Sequence, residues 1–452
     1  MSDKFKIINI DSLSYGGWGV GRVDSKVVFV GYAVPGDTLK VKIIEEHKNY
    51  DFASIDKIIK PSNERIEPAC EYFGICGGCD YLNISYDNEI YWKTEIFRKE
   101  FKKTFSSNSS ARNVDIKFNP SAENLNYRQK IGLKIHLKDI GFYKKYSHDI
   151  VNIRNCRLAK EDLNVLLKKA ADVLLSEKYY RTVAKNISTI TISKAGFKNI
   201  IFGFKHNLNN FKLPEQFVGD IFSGAKCDNI FLESAGKKII KYAARDTDKS
   251  INEKFLTIKD KKILYDLPSF IQINKEQNEN IINAISDYIE TVTEGLVKGG
   301  TKKFSNALDL YCGFGNITLF LTSYADNIIG VESCDSAVEL GKKNVLINNI
   351  NNIKFIKSDV SKFLDKMEKN KDKDKKFDLI ILDPPRSGIK GLTGKITALN
   401  PSYIIYVSCD TMTFLRDLRQ FAENGYKIEK IDLFDMFPRT YHLEQIAYLR
   451  KN

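Results

Sequence analysis

The chain has 452 residues, more than one ordinary domain holds, and this length predicts two or three domains. Hydrophobic residues make up 43% of the chain and charged residues 28%, a balance that excludes wholesale disorder because each domain can bury a core. The 70 lysines and arginines exceed the 57 aspartates and glutamates by 13, which favours a polyanionic partner, nucleic acid before a membrane surface.

The distribution of apolar residues limits where the protein is expected to work. No stretch approaches the roughly 18 uninterrupted apolar residues that a membrane helix needs. The first ten residues, MSDKFKIINI, do not resemble a secretory signal. We therefore expect a cytoplasmic protein with no membrane partner and no obligate protein partner. In that compartment the eight cysteines are expected to be thiols, ligands or nucleophiles rather than disulfides.

Residues 1–60 are predicted to form a small β-barrel. Short runs rich in β-branched residues (IINIDSL, KVVFV, TLKVKII and FASIDKII) are separated by YGGWGVG and VPGD, which are typical of turns. The spacing of the runs fits an OB-like and an SH3-like barrel equally well. Because barrels of this kind bind oligonucleotides and the chain is basic, the pattern favours an RNA-binding domain over a structural cap.

Residues 61–255 are predicted to form a central α+β domain. A helix is expected from about Ile90 to Phe105, with Lys93 among the basic residues outside its apolar face, and we expect it to pack on the C-terminal domain. From Tyr127 to Arg157, eight basic residues are interleaved with tyrosine and phenylalanine rings. This mixture suits the phosphates and unpaired bases of RNA, although it also fits a plain β-strand with a solvated face.

Four cysteines of the central region have the spacing of a metal site. Cys70, Cys76 and Cys79 are close in sequence, and Cys156 supplies a distant fourth thiol. Zinc would more typically show a second close pair of ligands, whereas an iron–sulfur cluster requires four thiolates of this kind. The spacing alone leaves zinc and a cluster equally open.

Residues 256–452 alternate apolar runs of strand length with helical segments, which predicts a doubly wound parallel sheet. Asp309, Glu332, Asp359 and Asp383 each end or directly follow one of these runs. The carboxyl ends of parallel strands meet at one crevice, where such folds bind ligands. Each acid on its own could equally be a helix cap.

The first of these strands leads into a glycine loop, DLYCGFGN at residues 309–316, which is predicted to open a helix over residues 317–324. Glycine lets a backbone turn sharply and approach a ligand closely. The loop lacks the third glycine of the dinucleotide fingerprint. A short loop beside several carboxylates favours S-adenosylmethionine over NAD, because the amino and sulfonium groups of S-adenosylmethionine are positively charged.

Three further segments carry candidate functional residues. The loop DPPRSG at residues 383–388 resembles one in methyltransferases of amino groups, but Arg386 stands where those enzymes carry an aromatic residue, which argues against them. Cys409 ends another strand, although a buried cysteine is usually a small hydrophobe. His442 and Glu444 lie in MFPRTYHLE, before the last strand, and are candidate acid–base groups.

The chain resembles the RNA uracil-5-methyltransferase family over nearly its whole length. The resemblance is carried by residues 309–316, 383–388, 408–410 and 437–444, and by LPSFIQIN at 267–274, which is similar to the family's aromatic-x-Gln-x-Asn motif. The front barrel resembles a TRAM domain, and the four cysteines resemble the family's iron–sulfur site.

The resemblance implies a Rossmann-like class I methyltransferase domain that methylates C5 of uracil in RNA. It implies that Cys409 is the nucleophile and Glu444 the base. It places Gln272, Tyr311, Glu332 and Asp383 in contact with S-adenosylmethionine, with Asn316 and Asp359 close by. Tyr311 stands where many members carry phenylalanine. For Cys70, Cys76, Cys79 and Cys156 it implies a [4Fe–4S] cluster, with zinc as the alternative.

The chemistry explains why a thiol is needed. C5 of uracil is too weakly nucleophilic to take a methyl group from a sulfonium, and adding a thiolate to C6 places electron density on C5. A carboxylate can then remove the C5 proton. Because the thiolate is the reactive form, we expect the pocket to lower the pKa of Cys409.

Four alternatives to a 23S rRNA methyltransferase follow from the same residues. A tRNA uracil-C5 methyltransferase is disfavoured because the tRNA branch generally lacks the TRAM-like barrel and the cluster cysteines. A cytosine-C5 methyltransferase normally has proline or threonine before its cysteine, whereas Cys409 follows Ser408. A radical enzyme would need a C-x-x-x-C-x-x-C triad. A non-catalytic ribosome-assembly factor would not need Cys409 and Glu444.

Overall fold

The computed structural model describes residues 5–106, 114–194, 198–205, 211–234, 239–243, 255–264, 271–294, 303–369 and 376–452. The chain divides into two compact units. Unit 1 comprises Met1–Trp92, Ala122–Lys254 and Phe437–Tyr441, and unit 2 comprises Lys93–Ser121, Phe255–Met436 and His442–Asn452. Among the helices described, none is both long enough and apolar enough to span a membrane.

Unit 1 begins with a closed barrel, as the sequence predicts. Its strands are β1 (Phe5–Ser14), β2 (Trp18–Val23), β3 (Lys26–Gly31), β4 (Thr38–Glu46) and β5 (Tyr50–Lys60). They close in the order β1-β2-β3-β5-β4. Alternate side chains point inward and form a small apolar core, which includes Ile8, Ile10, Val28, Val30, Leu39, Val41 and Ala53.

Strand β2 corrects one expectation, because its first four residues, Trp18–Gly21, lie within YGGWGVG, which was predicted to be a turn. Only Tyr15–Gly17 turn, and Trp18 starts a strand that pairs with both β1 and β3. A Cβ on Gly21 would lie 2.1 Å from the backbone oxygen of Asn9. Glycine is therefore required there by the close approach of two strands, which is common in small barrels.

Helix α1 (Tyr86–Thr104) and strand β6 (Asp115–Asn119) follow the barrel. The helix begins before the predicted Ile90. Phe97, Phe101 and Phe105 are buried in the core of unit 2. Lys93, which was predicted to lie outside the apolar face, is instead buried in unit 2 with its Nζ 2.8 Å from Asp435 Oδ1. The ion pair offsets the cost of burying that charge.

The rest of unit 1 is an α+β structure, as predicted. Its strands are β7 (Lys130–His136), β8 (Asp139–Tyr143), β9 (Ile150–Asn152), β10 (Ile187–Ser193), β11 (Asn199–Phe204), β12 (Asn229–Glu233) and β13 (Ile239–Ala243). The described sheet has the order β13-β12-β11-β10-β7-β8-β9. The helices are α2 (Glu161–Leu174), α3 (Glu177–Tyr180), α4 (Glu215–Ala225) and a 3₁₀ helix at Ala184–Asn186, and α2 and α4 share an apolar core with the sheet.

Unit 2 contains a hairpin, a long helix and a doubly wound sheet. The hairpin is β14 (Leu256–Ile258) and β15 (Lys261–Ile263), and the helix is α5 (Lys275–Glu294). The sheet adds to β6 the strands β16 (Phe304–Leu310), β17 (Ala325–Glu332), β18 (Ile353–Lys357), β19 (Leu379–Leu382), β20 (Tyr403–Ser408), β21 (Tyr426–Phe434) and β22 (Glu444–Lys451). The described strand order is β18-β17-β16-β19-β20-β22-β21-β6.

This strand order positions the site. The five neighbouring strands β18, β17, β16, β19 and β20 are parallel to one another. The chain reverses its direction of winding between β16 and β19, which is where doubly wound folds bind ligands. The helices are α6 (Asp335–Ile347), α7 (Val360–Lys369), α8 (Thr393–Ala398) and α9 (Thr411–Glu423). The helix predicted over residues 317–324 is a short 3₁₀ helix at Thr318–Ser323.

Candidate active site

The register of the sheet brings Cys409 and Glu444 together. Strand β20 runs antiparallel to β22, and Ser408 pairs with Gln445. Cys409 directly follows Ser408 and Glu444 directly precedes Gln445, so both residues lie beside the last pair of this ladder, and the Glu444 carboxylate is close enough to act on the Cys409 thiol. Opposite residues in an antiparallel ladder have Cα atoms about 4.5–5.5 Å apart. A thiol and a carboxylate are therefore presented side by side at one edge of the sheet.

The charges around Cys409 contradict one expectation from the sequence. Burial raises the pKa of the Cys409 thiol to about 12, and the carboxylates of Glu444 and Asp383 add to this effect. The Arg386 guanidinium opposes it through its charge and a hydrogen bond. The predicted lowering of this pKa is wrong because burial and two neighbouring carboxylates outweigh one cation.

Glu444 is almost completely buried, with 4% of its surface exposed. Burial and the neighbouring Asp383 raise the pKa of the Glu444 carboxyl well above its usual range, and Arg386 again opposes the shift. Burial also raises the pKa of Asp383 to about 6. Arg386 is thus the cation that acts on both Cys409 and Glu444.

Asp309 marks the other end of the crevice. It is buried at the end of β16, and burial raises its pKa to about 7, with Asp383 and Glu332 contributing. Thr318 Oγ1 donates a hydrogen bond of 2.6 Å to Asp309 Oδ2. Asp309 Oδ1 has no hydrogen-bond partner among the residues that the structure describes. An orphaned carboxylate oxygen beside the glycine loop fits a positively charged ligand group, as S-adenosylmethionine carries.

Glu332 and Tyr311 lie beside this loop. Glu332 accepts hydrogen bonds from the backbone nitrogens of Gly313 (3.2 Å) and Cys334 (2.8 Å), which ties the glycine loop to the end of β17. Tyr311 adopts φ +65°, a conformation that costs energy for any residue except glycine and is concentrated at functional sites. Burial, with Asp359 nearby, raises the pKa of its phenol to about 12.

The remaining predicted cofactor residues have structural contacts of their own. Asp359 is exposed and its Oδ1 accepts a hydrogen bond from the backbone nitrogen of Lys362, which is the alternative role of a helix cap. Asn316 exchanges two side-chain hydrogen bonds with Asn278 of α5, at 2.9 and 2.8 Å. Gln272 is partly buried just ahead of α5.

Part of the Gln272 motif, Leu267–Phe270, lies outside the described residues. The asparagine of the motif has a structural role. Asn274 precedes α5, and its Oδ1 accepts a hydrogen bond of 3.2 Å from the backbone nitrogen of Gln277 while its Nδ2 donates to Ser121 Oγ. It therefore caps the helix that also carries Asn278.

Arg386 was not predicted to take part in the reaction. Its position directly after two prolines at the end of β19 is a signal in the sequence that could have identified it. The structure places its charge beside Cys409 and Glu444, where it favours the ionised form of both. Asp309 was predicted to lie in the crevice but was given no specific role. It is the most deeply buried of the four acids at the strand ends.

The four predicted ligand cysteines lie in unit 1 and line the same cavity, together with Tyr72, Arg128 and Phe142. All four are free thiols. Burial raises the pKa of Cys79, with Cys156 and Cys76 contributing, so these thiols are close neighbours. Within the described part of the chain, no group of three or more His, Cys, Asp or Glu side chains is arranged to hold a metal ion.

The doubly wound sheet, the acidic crevice at its topological switch point and the strand-end thiol define a Rossmann-like methyltransferase. The sequence profile of the family described as tRNA (uracil-5-)-methyltransferase matches residues 118–452, and that of the TRAM domain matches residues 7–55. The chain belongs to this uracil-5-methyltransferase family and is an RNA uracil-C5 methyltransferase. The resemblance and the TRAM barrel inferred from the sequence are confirmed.

Individual relatives agree over the full length. The 23S rRNA (uracil(1939)-C(5))-methyltransferase of Histophilus somni is 30% identical, over 98% of this chain and 95% of that protein. An uncharacterized RNA methyltransferase of Thermotoga maritima is also 30% identical, over 98% of each. The structure of Pyrococcus abyssi tRNA (uracil-54, C5)-methyltransferase with S-adenosyl-L-homocysteine has a TM-score of 0.70 at 24% identity, over 98% of this chain and 100% of that one, and shows the same fold.

Proposed function

We propose that this enzyme methylates C5 of uracil in 23S rRNA, with Cys409 as nucleophile and Glu444 as base. The observation that carries the proposal is the register of β20 and β22, which presents the thiol of Cys409 beside the carboxylate of Glu444. One group must bond to C6 of the ring while the other reaches the proton on the adjacent C5, and adjacent side chains suit adjacent ring atoms.

The reaction follows from these two groups. The thiolate of Cys409 adds to C6, and electron density moves to C5. S-adenosylmethionine, when bound, supplies the methyl group that C5 then takes. Glu444 removes the C5 proton, the ring electrons return, and the bond between C6 and the sulfur breaks. Cys409 leaves as a thiolate, and the enzyme returns to its starting state once Glu444 passes the proton from C5 to solvent.

Arg386 opposes the rise in the pKa values of Cys409 and Glu444. A thiol with a pKa of about 12 is almost entirely protonated at neutral pH, so the reactive thiolate needs stabilisation. We assign this task to the guanidinium of Arg386, whose charge and hydrogen bond both favour the ionised form of Cys409. For Glu444 a raised pKa is an advantage once the proton is lost, because a stronger base removes the C5 proton more readily.

We propose that S-adenosylmethionine lies along the ends of β16, β17 and β19. The orphaned oxygen of Asp309 suits its amino group, and Glu332, at the end of the second strand, is placed for the ribose hydroxyls. The other residues assigned to the cofactor are Gln272, Tyr311 and Asp383, with Asn316 and Asp359 close by.

An aromatic surface on the barrel supports an RNA substrate. The ring centroids of His47 and Tyr50 are 4.4 Å apart in a stacked pair. The ring centroids of Phe52 and Trp18 are 4.7 Å apart. Trp18 in turn stacks on Tyr146 at 4.9 Å. Two rings of this group are exposed to solvent, Tyr146 by 68% and Tyr50 by 36%. Exposed rings on a basic protein provide stacking positions for unpaired bases.

The choice of 23S rRNA is supported by full-length relatives of that name, whereas the family profile and the Pyrococcus structure carry tRNA names. We expect the purified enzyme to transfer label from methyl-labelled S-adenosylmethionine to 23S rRNA of a strain that lacks this gene. The label should be recovered as 5-methyluridine. RNA of the intact strain should accept little label because its site is already methylated.

Label in tRNA and none in rRNA would establish the tRNA alternative. A folded protein that binds RNA and S-adenosylmethionine but labels neither RNA would instead be a non-catalytic assembly factor. Mapping the labelled nucleotide identifies the modified uridine in either RNA.

We also propose that Cys70, Cys76, Cys79 and Cys156 hold a [4Fe–4S] cluster, with zinc as the alternative. In the described structure these thiols are not arranged around a metal ion, and the support is instead that all four line the same cavity together with the cation Arg128. Four thiolates make a cluster site anionic, and a neighbouring guanidinium offsets part of that charge. The basic segment that follows Tyr127 begins at this site, so the cluster would fix that segment in place.

Aerobically purified protein is expected to be brownish and to contain about four iron atoms and four acid-labile sulfides per chain. Cys79→Ser should lower both contents severely, because one of four ligands is lost. The control is Cys334→Ser, which changes an exposed cysteine of unit 2 and should leave the iron content unchanged. One zinc per chain and no sulfide would assign the site to zinc.

A further inference from the structure

Helix α9 connects the nucleophile to the loop that carries Arg386. The helix starts at Thr411, directly after Cys409 and Asp410, and Asp410 Oδ1 accepts a hydrogen bond of 2.9 Å from the backbone nitrogen of Thr413. Thr413, Arg416 and Asp417 lie on one face of the helix, because residues three and four apart are neighbours there. We call these three residues the clamp.

Each clamp residue hydrogen-bonds the backbone of the loop at residues 386–389. Thr413 Oγ1 donates to the oxygen of Arg386 at 3.1 Å, and Arg416 Nη2 donates to the oxygen of Ser387 at 3.0 Å. Asp417 Oδ2 accepts from the nitrogen of Ile389 at 3.0 Å. Three contacts to successive parts of one short loop fix its path over the helix.

Asp417 is the centre of this arrangement and is completely buried. Its Oδ1 lies 2.7 Å from Arg416 Nη2, in an ion pair, and its Oδ2 also accepts a hydrogen bond of 2.7 Å from the hydroxyl of Tyr406. A buried carboxylate with a paired guanidinium and two further donors is held in a single position. Asp417 takes no part in the proposed reaction itself.

The loop is shaped to meet the clamp. Gly388 adopts φ +69°, and a Cβ there would lie 2.2 Å from Asp417 Oδ2 and 2.6 Å from Arg416 Nη2. Only glycine allows both the conformation and the close approach. The sequence DPPRSG therefore places its glycine where the clamp requires it.

We propose that the clamp is a positioning device that holds the guanidinium of Arg386 at Cys409. Cys409 and the backbone of Arg386 are attached to the same end of α9, so the distance between them is set by one rigid element. The proposal rests on the proposed function, in which Cys409 is the nucleophile. Asp417 and Arg416 are positioning residues, since they act through Arg386.

A purely structural role for Asp417 is the competing explanation, and the reactivity of the thiol separates the two. The charged groups that act on Cys409 are Glu444 of β22, Asp383 and Arg386, both after β19. If the clamp loosens, the carboxylates remain and the cation is displaced. The pKa of the Cys409 thiol should then rise. A purely structural role for Asp417 predicts no such rise in a variant that stays folded.

The test is the rate at which iodoacetamide alkylates Cys409 in the full chain without RNA, measured from pH 6 to pH 10 by mass spectrometry of the Cys409 peptide. Asp417→Asn and Arg416→Gln should each slow alkylation about tenfold at pH 8, because a rise of one unit in pKa lowers the thiolate fraction tenfold. Both should lower kcat for methyl transfer. The control Glu423→Gln breaks an exposed ion pair with Arg419 on the same helix and should change neither rate.

Arg386→Met is the reference, because it removes the charge directly. The clamp would be refuted if Arg386→Met slows the alkylation of Cys409 while Asp417→Asn and Arg416→Gln are both alkylated at the wild-type rate. That result would leave the proposed function intact. If Asp417→Asn does not fold, Arg416→Gln decides alone, since its side chain is 40% exposed. Methylation by Cys409→Ala would refute the proposed function, whatever the clamp variants show.

Discussion

Cys409→Ala is expected to abolish methyl transfer while S-adenosylmethionine still binds. The thiol acts on C6 of uracil, and the proposed cofactor contacts come from the ends of β16, β17 and β19, so the substitution removes chemistry without removing the cofactor site. Loss of a nucleophile that acts together with its base costs at least about 10⁴-fold in rate. Single-turnover methyl transfer measures the loss, and calorimetry with S-adenosylmethionine measures the binding.

Cys312→Ala provides a matched control for this variant. Cys312 is also a cysteine of unit 2, is buried, and lies in the glycine loop, but the proposed chemistry gives its sulfur no part. Its variant should retain methyl transfer even if its affinity for S-adenosylmethionine changes. Methylation of uridine by Cys409→Ala at more than a trace rate would show that no covalent step at this thiol is needed.

Glu444→Gln is expected to trap the enzyme on its RNA. Addition of the thiol and transfer of the methyl group do not require the carboxylate, whereas removal of the C5 proton does. The Glu444 carboxylate also raises the pKa of Cys409, so its removal favours the thiolate rather than hindering addition. The result should be a covalent complex of protein and RNA that survives a denaturing gel and carries the labelled methyl group.

The double variant Cys409→Ala, Glu444→Gln should give no complex, because the bond to C6 never forms. If Glu444 only positions the base, with His442 or water taking the proton, Glu444→Gln would release methylated RNA slowly. The rate of methyl transfer would then fall by roughly 10²–10⁴-fold, which is the usual contribution of a general base. Free methylated RNA without any trapped complex would reassign the base.

Strands β19 and β20 of the unit 2 sheet were predictable because their burial is uniform. In β19 and β20 every residue is buried, so LIIL and YIIYVS are continuous apolar runs, which is typical of parallel strands covered on both faces. Strand β2 was not predictable, since Gly21 is there for close strand approach and carries no apolar signal. Lys93 likewise gave no sign of burial, because its partner Asp435 is remote in sequence.

The candidate site was partly predictable for the same reason. Acids that follow apolar runs identified the ends of parallel strands, but the sequence could not separate buried Asp309 from exposed Asp359, which caps a helix. The pKa of Cys409 was predicted in the wrong direction because it depends on burial and on Glu444 of a later strand. Asp417 is one acid on an amphipathic helix, and nothing in its sequence context marks its contact with the loop.

The most direct test of the central claim follows the hydrogen on C5. RNA labelled with tritium at C5 of uridine is incubated with the enzyme and S-adenosylmethionine, and tritium in water is counted beside methyl groups in RNA. Methylation at C5 through Cys409 and Glu444 predicts one tritium released for each methyl group gained, and none from Cys409→Ala. Methyl groups gained without release of tritium would contradict the account, because the methyl group would then lie elsewhere on the nucleotide.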